Sequence, residues 1–339
     1  MLDRFFVQSI QDAVAIDPSY ERLWKSLYTL IQSGGKRLRP QMTLLAYTAF
    51  GGKDLEAIAP VAAAQELLHF SLLIHDDIID RDYIRYGVAN IAGQYKLTYS
   101  QFVASKNDIT HYSHSAAILA GDLMLSGAHQ LIATSNLPGA AISTAQHLMS
   151  RGIFEVAGGE LLDTELSFMP YKDGDALKIA TYKTASYSFI APLLIGARLA
   201  GASEKDCQTL KEYATALGIA YQLTDDILGV FGVETETGKS TTGDILEGKR
   251  TYLVEMALKN FSDTDNAMFM RAFGNADATT LELEAAKRLL VTSGARQQTE
   301  EKIAHYTAIA RHSLDTLSLP IEYHTKFLQM ADKVTKRSS

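Results

Sequence analysis

The sequence predicts an all-α protein: a single-domain bundle of long helices that spans residues 1–339. Seven prolines in 339 residues leave long stretches unbroken, and apolar residues recur in them with a period of 3.6. Alternating strand patterns of any length are absent. Small residues such as Ala62, Ala63 and Gly218 lie on inner helix faces and favour close packing. No repeat of 20 to 50 residues is found, so a bundle is favoured over a solenoid.

Start and stop signals place the helices along the chain. Asp17 and Pro18 predict a helix that runs to about residue 32, where Gly34 and Gly35 end it. Pro40 opens a second helix, which a glycine pair closes at 51–52. Further helices are predicted over 61–80, 116–134, 143–163, 175–201 (bent near Pro192) and 203–231, the last opened by the capping pair Ser203 and Asp206. The stretch 88–114 lacks periodicity and is predicted to be a long loop with a short helical piece.

Composition limits the classes of function. With 47% hydrophobic and 21% charged residues, the chain has enough apolar residues for a large core and an ordinary soluble surface. Cys207 is the single cysteine, which fits a reducing compartment, and no apolar run follows the N-terminus. We therefore expect a cytoplasmic protein without a membrane span. The net charge of −7 argues against a nucleic-acid partner, so positive charge for any phosphate ligand must be local.

Two short acidic clusters lie inside apolar helical stretches. The first contains Asp76, Asp77 and Asp80, and the second contains Asp225 and Asp226. At about 100° per residue, Asp76 and Asp80 share a helix face, with Asp77 beside them. Such a group of carboxylates suits a hard cation, so the pattern predicts magnesium and a phosphorylated substrate.

The first cluster continues a stripe along its helix. His69, Leu72 and Leu73 project onto the same face as Asp76 and Asp80, which predicts a polar mouth above an apolar shaft. A histidine by itself is more often a core residue, and a lone aspartate pair is more often a surface cap. Three aspartates within five residues, preceded by the apolar residues Leu72, Leu73 and Ile74, are not typical of a solvated face.

Basic residues stand at defined points of the chain. In the segment Ser33–Pro40, Lys36 and Arg39 could converge on one diphosphate, although a loop with solvated bases would have the same sequence. Lys183 lies mid-helix among apolar residues, where it is either a paired functional lysine or a snorkelling surface lysine. Lys239 and Lys249 each follow a glycine, where flexible backbone could fold the base over an anion.

Five segments, taken in order, resemble one family. They are GGKRLRP, HDDIID, KTA, YQLTDDILGVFG and GKSTTGDILEGKRT, and they cover roughly residues 33–255. The set is similar to the trans-type polyprenyl diphosphate synthases. Gly229 stands where many members of that family carry a third aspartate of the second cluster, and this departure resembles the variant common among geranylgeranyl diphosphate synthases. The resemblance implies an isoprenoid synthase fold with a central cavity, usually in a homodimer.

The resemblance also implies roles for individual residues. The expected catalytic set is Asp76, Asp77, Asp80, Asp225, Asp226 and Lys183, with Asp76, Asp80 and Asp225 as ligands of three Mg²⁺ ions. The allylic diphosphate is expected to contact Arg85, Lys183, Thr184, Gln222, Lys239 and Lys249. Isopentenyl diphosphate is expected to bind Lys36, Arg39 and His69. The implied reaction ionises an allylic diphosphate, and the double bond of isopentenyl diphosphate attacks the cation, which yields an all-trans polyprenyl diphosphate.

Product length is expected to depend on Phe70, Ser71 and Leu72, because Ser71 stands where short-chain members often carry an aromatic plug. The small side chain favours a product of twenty carbons or longer. One departure concerns Arg85-Tyr86-Gly87, where family members usually carry paired arginines, so weaker binding of isopentenyl diphosphate is expected. The alternatives are a farnesyl diphosphate synthase, a terpene cyclase, which would not need the GGKRLRP segment, and a non-catalytic subunit of a heteromeric synthase, which would not need both acidic clusters.

Overall fold

A computed structural model describes residues 1–166, 168, 175–232 and 241–335 of the chain. Within these residues the only β-structure is a pair of two-residue strands, and nearly all other regular structure is helical. The predicted all-α class is confirmed. By internal contacts the chain divides into two compact units: residues 1–44 with 53–146, and residues 45–52 with 147–339. The single-domain assignment stays a prediction, because the division by itself does not decide whether either unit folds alone.

The first unit is organised by two long helices. Its elements are α1 (Leu2–Val14), α2 (Pro18–Gln32), the first part of α3 (Leu38–Ala49), α4 (Leu55–Ile79), β1 (Ile84–Arg85), β2 (Val88–Ala89), α5 (Ile91–Tyr99), α6 (Lys106–Ala133) and the start of α7 (Gly139–Leu166). Helix α4 packs along α6. As predicted, the Asp17 side chain caps α2 by accepting a hydrogen bond from the Ser19 amide at 2.7 Å. Helix α4 begins six residues earlier than predicted, because Asp54 caps it by accepting from the Ala57 amide.

The second unit contains the rest of α7 and the C-terminal helices. These are α8 (Asp175–Ile179), a π-helical segment (Ala180–Ile190), α9 (Ala191–Leu199), α10 (Glu204–Phe231), α11 (Gly243–Leu246), α12 (Tyr252–Asn260), α13 (Asp263–Phe269), α14 (Thr280–Thr292), α15 (Ala295–Asp315) and α16 (Ile321–Thr335). Helix α10 packs against α15 and the π-helical segment. The predicted capping pair is confirmed, since the Ser203 hydroxyl accepts from the Asp206 amide at 3.1 Å.

The stretch 88–114 corrects the sequence prediction of a long loop. It contains strand β2, helix α5 and the first turns of α6, and Asn90 and Ser105 cap the two helices through their side chains. Tyr95, Tyr99 and Tyr112 hold α5 to α6 through ring contacts, with centroids 5.1 to 5.8 Å apart. Helix α5 has nine residues, which is too short for a hydrophobic period to be recognised, and its packing is aromatic rather than aliphatic.

Two helices, Leu55–Ile79 and Lys106–Ala133, are long and apolar enough to cross a membrane by length and composition. They are α4 and α6, which pack against each other. Two thirds (67%) of the apolar window of α4 is buried inside the protein, as is half of that of α6. Such burial is what core helices of this composition would have.

Candidate active site

Helix α4 carries the first acidic cluster and presents the predicted stripe on its accessible side. His69, Leu72, Leu73, Asp76 and Asp80 are all partly exposed. Four residues between them face the protein interior: Phe70 (4% exposed), Ser71 (0%), Ile74 (2%) and Asp77 (3%). His75 and Ile78 are partly exposed, and Ile79 near the end of the helix is exposed. The structure therefore places two carboxylates at one end of an accessible strip of leucines, with the histidine further along it.

Asp77 faces the protein and binds Arg85. Both Nε and Nη2 of Arg85 donate to Asp77 Oδ1, at 2.8 and 2.5 Å. Nη2 also lies 3.5 Å from Asp76 Oδ2. Burial raises the pKa of Asp77 to about 6, against the opposing effect of Arg85, and the negative charges of Asp76 and Asp82 add to the increase. Asp77 thus orients Arg85, which strand β1 carries, while Asp76 and Asp80 stay on the accessible face.

In the segment before α3, Arg37 has a structural role that differs from that of its neighbours. Arg37 Nη1 donates to Glu66 Oε1 at 2.6 Å, and Nη2 donates to the carbonyl of Ile31. Glu66 is only 3% exposed, so this pair links the end of α2 to α4. Lys36 is exposed and Arg39 is half-buried, so both are accessible to a ligand.

His69 lies in the electrostatic field of these bases. Burial lowers the pKa of His69 well below its ordinary value, and the positive charges of Arg39, Arg85 and Arg37 lower it further. The ring is therefore neutral at neutral pH and can offer one N–H donor. The three residues expected to bind isopentenyl diphosphate all lie in the first unit, and Arg39 is close enough to His69 to influence its protonation.

In the second unit, a hydrogen-bonded chain joins three of the predicted residues. The Thr184 hydroxyl donates to Gln222 Oε1, and Gln222 Nε2 donates to Asp226 Oδ1 at 2.8 Å. Asp226 is 7% exposed. Burial raises its pKa to about 8, the Gln222 hydrogen bond opposes this, and the negative charges of Asp244, Asp225 and Asp163 contribute to the increase. Asp225 is the partly exposed member of this aspartate pair.

Lys183 is a paired lysine and not a snorkelling surface lysine, the other possibility that the sequence left open. Its Nζ lies 2.6 Å from Asp163 Oδ2 and 3.0 Å from Glu160 Oε2, both on α7. A Cβ at Gly159 would be 2.2 Å from the Lys183 backbone nitrogen, so α7 approaches the π-helical segment very closely there. Sequence reasoning missed Glu160 and Asp163, although two acids three residues apart beside a glycine pair were a usable signal. Irregular π-turns are often found at functional sites.

Of the two remaining predicted diphosphate contacts, Lys249 follows α11. Lys249 Nζ is 3.1 Å from Glu247 Oε2. Lys239 lies outside the described residues. Sequence reasoning also missed Asp244, whose carboxylate packs against Gly229.

The donor set fits magnesium. Among the described residues, no three side chains of His, Cys, Asp or Glu form a group that could hold a metal ion by themselves. Mg²⁺ ordinarily binds one or two carboxylates, with water and substrate phosphate oxygens as its other ligands, rather than a cage made of protein alone. Asp76 and Asp80 on one accessible face provide such a pair of hard oxygen donors.

The chain is similar to known proteins over most of its length. A family model described as Polyprenyl synthetase matches residues 20–290. The chain is 34% identical over 296 residues to geranylgeranyl diphosphate synthase of Sulfolobus acidocaldarius, covering 85% of this chain and 84% of the relative. It is 34% identical to geranylfarnesyl diphosphate synthase of Aeropyrum pernix, covering 90% of each chain.

A solved structure agrees with this. Geranylgeranyl pyrophosphate synthase of Corynebacterium glutamicum, in complex with isoprenyl diphosphate and magnesium, superposes with a TM-score of 0.94 at 30% identity, covering 99% of this chain and 96% of that one. Because the family model spans most of the sequence and both acidic clusters lie within the matched region, this chain belongs to the polyprenyl synthetase family.

Proposed function

We propose that this chain is a magnesium-dependent trans-prenyltransferase. It condenses isopentenyl diphosphate with an allylic diphosphate, of the geranyl or farnesyl type, to an all-trans product of twenty carbons or longer. The observation that carries the proposal is the accessible face of α4, where Asp76 and Asp80 stand at one end of a strip formed by Leu72 and Leu73. A prenyl diphosphate has a charged headgroup and an apolar tail, and it therefore needs carboxylates for metal binding next to an apolar strip.

The residue roles follow from charge and burial. The partly exposed aspartates of the two acidic clusters are Asp76, Asp80 and Asp225. They bind the metal, with three Mg²⁺ ions in the complete complex. The bound metal would supply positive charge to the departing diphosphate. Asp77 holds Arg85 and Asp226 holds Gln222, so these two carboxylates position groups that contact the allylic diphosphate.

The bases stabilise the leaving group. Ionisation of an allylic carbon–oxygen bond leaves negative charge on the diphosphate, which Arg85, Lys183 and Lys249 would offset. Lys183 is already held by two carboxylates, so its amine has a defined position before any substrate arrives. Lys36, Arg39 and neutral His69 would bind the diphosphate of the second substrate, whose double bond then attacks the cation.

The protein is proposed to act in the cytoplasm as a homodimer. Helix α7 exposes Phe154 (70%) and Leu161 (68%), with Ala157 and Gly158 on the same face. Helix α6 exposes Ile118 (48%) and Leu119 (59%). Exposed apolar residues grouped on a helix face are typical of protein interfaces.

The decisive test is turnover by the purified protein alone. It would be incubated with Mg²⁺, labelled isopentenyl diphosphate and either dimethylallyl, geranyl or farnesyl diphosphate, and the products would be separated by chain length. We expect products of at least twenty carbons and none when EDTA removes the metal. The double variant Asp80→Ala/Asp225→Ala should be inactive but folded.

Two of the alternatives predict different results in this experiment. A sole fifteen-carbon product would identify a farnesyl diphosphate synthase. Inactivity of the folded protein with every primer would favour a subunit that needs a second chain. Turnover that survives the double aspartate substitution would contradict the metal assignment.

A further inference from the structure

Tyr86 occupies an unusual backbone position. Strands β1 and β2 pair as an antiparallel hairpin with Arg85 opposite Val88, so Tyr86 and Gly87 form its two-residue turn. Both have positive φ, 54° and 75°, as a type I′ turn requires. Asn-Gly is the usual sequence of such a turn, and a bulky residue with positive φ is uncommon. The tyrosine is therefore not explained by the needs of the turn.

The Tyr86 ring packs on the glycine segment before α3. A Cβ at Gly34 would lie 2.8 Å from Tyr86 Cγ and 3.1 Å from each Cδ. Gly34 itself does not have a positive φ, unlike Gly35 at 104°. The backbone would thus tolerate any residue at position 34, and it is the tyrosine ring that excludes a side chain there.

The same segment is held from another side by Arg37. The Arg37 guanidinium lies next to Gly35, with Nη1 3.0 Å from where a Cβ would stand, and it is fixed by Glu66. Two side chains from separate elements therefore enclose residues 34 and 35. Lys36 follows directly, and Arg39 lies in the first turn of α3.

The phenol of Tyr86 lies among the basic residues of this region. Burial raises the pKa of Tyr86, so the phenol is neutral at neutral pH. The charged groups that act on it are Arg85, Glu66, Arg39 and Arg37. The residue is nevertheless 44% exposed, since one side of the ring covers Gly34 and the rest is accessible.

We propose that Tyr86 is a positioning residue for isopentenyl diphosphate: its ring holds the backbone at Gly34 and so fixes where Lys36 and Arg39 present their charges. This inference rests on the proposed function. The chain has one base fewer here than a paired-arginine sequence would have. A rigid glycine segment compensates, because two fixed bases lose less freedom on binding than two mobile ones.

The proposal predicts that one variant loses affinity for isopentenyl diphosphate without losing stability. Tyr86→Asn places the preferred residue in the turn and removes the ring from Gly34. Stability to urea should be unchanged or higher, whereas the KM for isopentenyl diphosphate should rise on the order of tenfold. The kcat and the KM for the allylic diphosphate should change less than about twofold. Tyr86→Phe keeps the ring and should retain the wild-type KM.

Gly34→Ala provides an independent test, because its effect depends on the ring. Alone, it should also raise the KM for isopentenyl diphosphate on the order of tenfold. Added to Tyr86→Asn, it should have less than about a twofold further effect, since the obstacle is gone. Additive effects of the two substitutions, an unchanged KM in Tyr86→Asn, or an equal loss in Tyr86→Phe would each overturn the proposal. Wild-type protein without turnover would instead contradict the proposed function itself.

Discussion

Gly229 on α10 packs directly against the carboxylate of Asp244 on α11: a Cβ at residue 229 would stand 2.3 Å from Asp244 Oδ2. This contact gives a physical reason for the departure from the family pattern at that position. The space that a third aspartate of the second cluster would need is filled by a carboxylate from another part of the chain. Asp244 also acts on Asp226, whose pKa burial raises and the Asp244 charge raises further.

Restoring an aspartate at residue 229 should therefore be harmful. Gly229→Asp should lower the free energy of unfolding by about 1–3 kcal/mol, the usual effect of overpacking, because Asp244 must move and a further negative charge is added beside Asp226. Turnover should fall as well. Urea unfolding and steady-state kinetics would measure the two effects. The double variant Gly229→Asp/Asp244→Gly should regain most of the stability, and equal loss in both variants would refute the contact as the cause.

Arg37 and Lys36 are neighbours, but their substitution should affect different properties. Loss of Arg37 should lower stability, whereas loss of Lys36 should weaken the binding of isopentenyl diphosphate. Arg37→Ala leaves the buried Glu66 carboxylate without its 2.6 Å partner and should lower the free energy of unfolding by roughly 2–3 kcal/mol. Lys36→Ala should change stability by less than about 0.5 kcal/mol but raise the KM for isopentenyl diphosphate about tenfold. Parallel unfolding and kinetic measurements on both variants would reveal this. A Lys36 variant that loses stability while keeping its KM would exclude the assigned roles.

His69 should make folding less favourable in mild acid. Burial and the charges of Arg39, Arg85 and Arg37 lower the pKa of His69 in the folded state, whereas an unfolded histidine has a pKa of about 6.5. As the pH falls below that value, the unfolded chain binds a proton that the folded chain rejects, so stability is lost. At pH 5.5 the loss should approach about 1 kcal/mol.

Because other groups also titrate in this range, the effect of His69 is measured by comparing the free energies of unfolding of two proteins. Wild type and His69→Asn would be unfolded by urea at pH 7.5 and at pH 5.5. Relative to His69→Asn, the wild type should have a lower free energy of unfolding at pH 5.5 than at pH 7.5. A difference between the two proteins that does not change with pH would mean that His69 titrates normally.

Product length should respond to Leu72 and not to Ser71. Leu72 is on the accessible side of α4, whereas Ser71 is fully buried, and its hydroxyl has no hydrogen-bond partner among the residues that the structure describes. Leu72→Phe should shorten the main product, because it enlarges a residue on the strip that leads away from Asp76. Ser71→Phe should mainly reduce stability, by about 1–3 kcal/mol. Chromatography of dephosphorylated products would decide, and a shortened product from Ser71→Phe alone would contradict the assignment.

The exposed face of α7 should be needed for dimerisation. Phe154→Asp places a charge in the apolar stripe and should convert the homodimer to a monomer or weaken it strongly. Light scattering coupled to gel filtration would give the mass. Glu284→Gln, on an exposed residue of α14, serves as the control and should leave the dimer intact. A monomeric wild-type protein would contradict the proposed assembly directly.

Local sequence patterns were sufficient for much of this molecule. The helical class, the caps at Asp17 and Ser203, and the stripe of α4 all follow from periodicity and short-range hydrogen bonding, which depend on neighbouring residues only. The stretch 88–114 was mispredicted because its helices are stabilised by contacts among Tyr95, Tyr99 and Tyr112. Such contacts have no period along the chain.

The order of amino acids is enough to establish which residue types are available: carboxylates in two helices, bases after glycines, and one histidine in the stripe. Their division between ligand binding and structural support depends on the folded chain. Asp77 is buried against Arg85 while Asp76 is accessible, and Arg37 is tied to Glu66 while Lys36 is exposed. Adjacent residues receive different roles because burial and partners are set by elements far away in sequence. Neither the burial of a side chain nor its partners can be obtained from the order of amino acids in a short motif.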